Sequence, residues 1–152
     1  MPNHVTNILK LSGPQSAIDK FYKHLLDEND EVDFERVLPM PEGEENNWYN
    51  WKWDNWGTKW NAYDCIIDRE NNKIQFDTAW EYPRPVIEHL VKAHPKVSVK
   101  ILSVNEGGFP ILCILYTNGS KTLEKTIDYD EDKERFLRYF VKVKGYNPFD
   151  EE

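Results

Sequence analysis

The sequence has little cysteine, little methionine, no long apolar run and a shortage of positive charge. The two cysteines, Cys65 and Cys113, are far apart, and each sits inside an apolar stretch. They read as small buried hydrophobes of a reducing compartment. No CxxC pair exists, which argues against a zinc site. No apolar run approaches the ~20 residues that a membrane span needs. The opening Met1-Pro2-Asn3-His4 has neither a basic nor an apolar segment, so no signal peptide is expected. These features predict a protein that stays in the cytoplasm. Glycine is sparse as well. Gly107-Gly108 stands between two expected strands with no helix after it, so it reads as a turn and not as a phosphate loop. No Ser-His-Asp or Cys-His arrangement can be proposed from spacing.

Charge excludes further partners. There are 27 acids against 19 bases, a formal charge of −8, and the bases form no strong cluster. Such a chain is repelled by phosphate backbones and anionic lipid. Nucleic acid and membrane are therefore not expected as partners. The acids do cluster: Asp27, Glu28, Asp30, Glu31, Asp33 and Glu35; then Asp128, Asp130, Glu131 and Asp132; then Asp150, Glu151 and Glu152. The ordinary reading is a solvated surface. The sharper one is a face that imitates nucleic acid and occupies a basic groove on a partner.

Aromatic side chains are abundant, at 14% with six tryptophans, and the periodicities are clear. Val5, Asn7, Leu9 and Leu11 alternate with His4, Thr6, Ile8 and Lys10, which is strand spacing. Gly13-Pro14 stops that strand and starts a helix, and Ala17, Ile18, Phe21, Tyr22 and Leu25 carry its apolar stripe to about Glu28. Phe34 to Pro41 reads as an ordered apolar loop folded onto the core, and Glu42 to Asn47 as a polar loop. Five tryptophans fall between Trp48 and Trp60, where a short helix or turns are expected, interrupted at Gly57. Lys59 to Asp68 and Lys73 to Trp80 read as a hairpin around Asn71-Asn72, with Ile74, Phe76, Thr78 and Trp80 on one face. Pro83 and Pro85 open a helix with Val86, Ile87, Leu90 and Val91 inward. Strands follow over Val97 to Val104, Ile111 to Thr117 and Thr122 to Tyr129, the last two joined by a tight Asn118-Gly119 turn. A final helix over Asp130 to Lys144 turns Phe136, Leu137, Phe140 and Val141 inward and stops at Gly145.

The first six regular elements give the split βαβ pattern of a ferredoxin-like fold. The expected class is α+β: an antiparallel sheet with two helices on one face, extended by a C-terminal hairpin and helix from about residue 120. One domain over 1–152 is expected.

Four segments carry a resemblance. They are Met1 to Asn7, Phe34 to Pro41, Asn55-Trp56-Gly57-Thr58-Lys59-Trp60-Asn61-Ala62-Tyr63-Asp64, and Phe76 to Trp80 followed by Pro83, Pro85, Val86 and Ile87. Over residues 1 to 119 the chain resembles the YubB-type ferredoxin-like family, encoded largely by phages, prophages and conjugative plasmids. The resemblance implies the same fold and a mobile-element origin in a bacterial host. It implies no catalytic residue. The tryptophan-rich insert around residues 42 to 54 departs from the family pattern.

Two sets of residues are candidates for function. Trp48, Trp51, Trp53 and Trp56, with Asp54, Glu44 and Glu45, form a possible recognition surface, since tryptophan dominates binding hot spots. The plainer reading makes this segment a lid over the sheet face that the two helices leave open. The other set is His4, Asp64 and Asp77, as an acid–base pair or a divalent-ion site with Asp68; the plainer reading is structural hydrogen bonding. Aromatics on the sheet also suggest stacked RNA bases, but Asp64, Asp68 and Asp77 stand where bases would be needed. The expected function is a phage or mobile-element accessory protein, without cofactor, that binds a host protein of a defence or nucleic-acid-processing system. The alternatives are a small metal-dependent or acid–base enzyme, and an oligomerising module.

Overall fold

The central strand forms where apolar and polar residues alternate. In a computed structural model, which describes residues 3–149, β1 (His4–Ser12) buries Val5, Asn7, Leu9 and Leu11 on one face. Met1, Pro2 and the acid run Asp150, Glu151 and Glu152 lie outside the described residues. Helix α1 (Gln15–Leu25) follows Pro14 and buries Ile18, Phe21, Tyr22 and Leu25. It ends three residues before the expected Glu28. Leu26 turns extended and forms an isolated antiparallel bridge with Val32, and both side chains are buried. The acids between them make a tight turn in which Asp27 Oδ1 accepts from the amides of Asn29 (2.8 Å) and Glu31 (3.1 Å). Part of that acidic run therefore serves turn chemistry.

The loop after it folds back as expected, with Phe34 and Val37 buried. Helix α2 (Trp48–Trp56) ends at Gly57, whose φ of 76° is left-handed. A Cβ there would lie 2.9 Å from Pro85 Cδ, so glycine also allows the end of α2 to approach α3 (Arg84–Ala93) closely. Strand β2 (Tyr63–Asp68) starts four residues later than Lys59. The Thr58 hydroxyl donates to the Trp60 carbonyl, and the Asn61 side chain is engaged with Asp33 and the Phe34 amide, which keeps this stretch out of the ladder. Next come β3 (Lys73–Ala79), β4 (Ser98–Asn105), β5 (Ile111–Thr117), β6 (Ser120–Ile127) and α4 (Lys133–Lys144). Asn118 and Gly119 both have positive φ, the signature of a tight hairpin turn.

The sheet order is β2-β3-β1-β4-β5-β6, antiparallel throughout. Its first four strands have the ferredoxin-like arrangement, and β5 and β6 extend the β4 side. The two faces differ. On the first, α1 and α3 cover Leu9, Leu11, Ile74, Phe76, Val99, Ile101 and Ile114. On the second, α4 sets Phe136 and Phe140 against Val104, Ile111 and Ile127. Two residues one turn apart fill this small patch, and Val141, expected inward, is exposed.

Polar ties hold the first face together. Asn7, fully buried, donates to Thr78 Oγ1 (2.9 Å) and accepts from Ser103 Oγ (2.9 Å). His24 and His94 meet at 2.9 Å between α1 and the end of α3, and His24 is half-buried there. Burial holds both imidazoles below their usual range; His89 and Arg36 add to this at His24, and His24 and Lys20 at His94. No helix of the described residues is long and apolar enough to cross a membrane.

Candidate functional site

The five clustered tryptophans separate by exposure. Trp56 is 1% exposed, its Nε1–H donating to the Leu38 carbonyl at 2.8 Å and its ring lying edge-on to Phe34. It belongs to the core, which removes it from the recognition set. Trp51 is half-buried and T-packed on Trp56 at 5.5 Å, so it supports that anchor and is not a free contact. Trp48 (41%), Tyr49 (43%) and Trp53 (41%) point outward. Asp54 and Glu45 are exposed, and Glu44 is half-buried; Glu44 accepts from Asn47 and Glu45 from the Gly43 amide, so both acids brace the turn that precedes α2.

Helix α2 is not the expected lid. It packs at the margin of the first face, against α3 and the Phe34–Leu38 loop, while α4 covers part of the second. Trp80 joins its outer surface. The alternation predicts Trp80 beside Phe76, but β3 stops at Ala79 and Trp80 takes φ 78°. That conformation is a genuine outlier for a bulky residue. The Trp80 ring meets Trp53 at 5.6 Å and Tyr49 at 6.0 Å, both edge-on. Lys59 Nζ lies over Trp80 at 5.1 Å and over Trp60 at 4.8 Å, a cation–π sandwich. A cleft of about 540 Å³ opens beside Trp80, bordered by Tyr82, Arg84, Asn105 and Phe109. Sequence reading missed Tyr49 and Trp80. Tyr49 lies four residues before Trp53, a spacing that was legible; the turned backbone at Trp80 was not.

The second set assembles on the other face. His4, Asp64 and Asp77 line one groove of about 340 Å³ between the sheet and the end of α4, together with Thr6, Glu106 and Lys144. A register shift between Tyr63 and Ile66, with Asp64 at φ 52°, forms the β2 wall. Asp68 is absent from the groove: its carboxylate binds the Asn71 amide and side chain, capping the hairpin. The His4 Nδ1 and the Tyr63 hydroxyl are hydrogen-bonded. The Lys144 ammonium donates to the His4 carbonyl (3.0 Å) and Thr6 Oγ1 (2.9 Å), and Thr6 donates to Asp77 Oδ1 (2.7 Å). Burial pushes the Tyr63 phenol up to about 12, with Asp77, Asp64 and Glu106 adding to it. Burial also raises Asp77, against the Thr6 hydrogen bond and the Lys144 charge, and lowers Lys144. Among the described residues, no group of three or more His, Cys, Asp or Glu is placed to hold a metal ion. The groove offers proton donors and acceptors. Lys144 lies 140 residues from His4 in the chain, and no sequence signal pairs them.

Neither the curated proteins nor the solved structures searched contain a match to this chain. A family model does match residues 59–136, just over half of the chain, and it describes the ferredoxin-like domain in Api92-like protein. The matched stretch runs from Lys59 through β6 to the first turn of α4, and so holds Trp80, Asp64 and Asp77 but neither α2 nor β1. The strand order is the ferredoxin-like one and the match covers more than half of the residues, so the chain belongs to the family of ferredoxin-like domains found in Api92-like proteins.

Proposed function

We propose that this protein is a binding module whose α2 surface docks a partner protein. One observation carries the reading: α2 gives the core a single buried residue, Trp56, yet carries three large outward aromatics backed by Trp80. Aromatics that the fold does not bury, beside a cleft, have the composition of a binding hot spot. The YubB-type resemblance supports a phage or mobile-element accessory role, in the cytoplasm of a bacterial host. The partner is then a host protein, in a defence or nucleic-acid-processing system. The test is capture of tagged protein from bacterial lysate, wild type against Trp48→Ala/Trp53→Ala. A stoichiometric protein retained by the wild type and lost by the folded variant supports the reading; equal retention sinks it. Trp51 is unsuitable for this test, because it braces Trp56.

The groove supports a second reading, an acid–base site using His4 and Asp77, because the structure brings them together with Tyr63 and Lys144. A metabolite screen that finds turnover in the wild type and none in His4→Ala at unchanged stability would favour it over the binder.

A further inference from the structure

The second face carries a basic row that no stretch of the sequence reveals. Lys10 of β1 stands directly opposite Lys73 of β3 on one side and Lys100 of β4 on the other. The three belong to the face opposite Leu9, Ile74 and Ile101, away from α1 and α3. Lys10 and Lys100 are exposed and Lys73 is half-buried. The row continues into aliphatic residues: Lys100 faces Leu115, and Leu115 faces Leu123, which is 49% exposed. In the next row Ile8, Leu102 and Cys113 lead to Lys125, also exposed. Helix α4 covers the other end of these strands, over Val104, Ile111 and Ile127.

Like charges directly opposite on neighbouring strands disfavour pairing. Lys10 donates to the Asn71 carbonyl, and Asp68 stands opposite Lys73 but is turned to Asn71; among the described residues none of Lys10, Lys73 or Lys100 enters an ion pair, although the chain has eight more acids than bases. We infer that this face binds an acidic peptide segment of a partner protein, whose carboxylates meet the lysine row and whose aliphatic side chains meet Leu115 and Leu123. The size of the row selects this occupant. Strands lie about 4.8 Å apart, so three lysines span about 10 Å. Carboxylates three or four residues apart on a helix face are spaced about 5–6 Å and match that interval. A nucleic acid strand fits less well. Asp68 closes the row opposite Lys73, which limits the phosphates the row can hold, and the row carries aliphatic neighbours in place of stacking rings. The surface is separate from α2 and stands or falls independently of it.

The test is a titration of isotope-labelled full-length protein, followed by amide NMR shifts. The probes are a Glu/Leu peptide, its Gln/Leu counterpart and an oligothymidylate of similar length. The expected result is saturable binding of the Glu/Leu peptide alone, weakening with salt, with shifts confined to β1, β3, β4 and β5. Lys10→Glu/Lys100→Glu should weaken it at least tenfold, and Lys10→Gln/Lys100→Gln should do so in part. Lys10→Gln/Lys100→Gln should unfold no earlier than wild type, since repulsion between the lysines is relieved, whereas Lys10→Glu/Lys100→Glu sets two carboxylates opposite each other and is compared only where melting shows it folded; Trp48→Ala/Trp53→Ala should bind as wild type does. Equal binding of the Gln/Leu peptide overturns the proposal. Oligothymidylate binding on these strands at equal or greater affinity overturns it in favour of nucleic acid. A concentration-dependent mass abolished by Lys10→Glu/Lys100→Glu would instead assign the row to the acidic runs of a second copy.

Discussion

The two faces of the sheet are made by the same strands and are built differently. The first is closed: two amphipathic helices, a folded-back loop and Trp56 leave few polar groups inside; Asn7 ties Thr78 to Ser103, Tyr82 pairs with Tyr116, and the Tyr22 hydroxyl has no partner among the described residues. The second is half-covered, with one helix over a patch of three residues and an adjoining polar groove and lysine row. Period-two alternation supplies both faces at once, so a strand that buries Leu9 must present Ile8 and Lys10 elsewhere. Stability resides mainly on the first face. The second face and the outer surface of α2 remain available for other chemistry.

The largest effect should come from breaking the first face. Trp56→Ala should cost about 3–5 kcal/mol, as truncation of a buried aromatic does, and Phe140→Ala on the inner side of α4 should fall at the low end of that range, because the smaller cluster can settle. Equal losses in denaturant titration would mean that both faces carry the fold. Polar truncation should show the same order. Asn7→Ala leaves Ser103 without its acceptor in a buried site and should cost about 2–3 kcal/mol; Lys144→Met, in a half-buried groove, should cost about 1 kcal/mol.

The smallest effect is a pH dependence that belongs to the first face. His24 and His94 titrate below the ordinary imidazole range when folded. As pH falls below about 6.5, the unfolded chain takes up protons first, so stability present above that pH is lost through the lowered folded values. Asp77, raised by burial, acts with the opposite sign on the second face. Melting of the wild type at pH 7.5 and pH 5, compared with His94→Asn, isolates the pair: the variant should lose less stability between the two pH values. An identical loss would remove the histidines from the account.

The legibility of the molecule follows the same division. Strand alternation and helix stripes specify the first face, and the element order and ferredoxin-like arrangement were readable from them. The end of α1 was not, because Leu26 leaves the helix to bridge Val32 across a turn. Trp80 was placed by alternation, and it sits where positive φ breaks it, as Asp64 does in β2. The lysine row takes one residue from each of three strands, and the groove takes Lys144 from the last helix. Register and tertiary packing assemble such sites, and neither shows in local spacing.

The outward aromatics of α2 are not part of what holds the fold. Denaturant unfolding of Trp48→Ala/Trp53→Ala beside Trp56→Ala separates the two roles. The double variant should lose at most about 2 kcal/mol, less than the single core variant at about 3–5 kcal/mol. A loss in the double variant equal to or greater than that of Trp56→Ala would make α2 a structural cover instead.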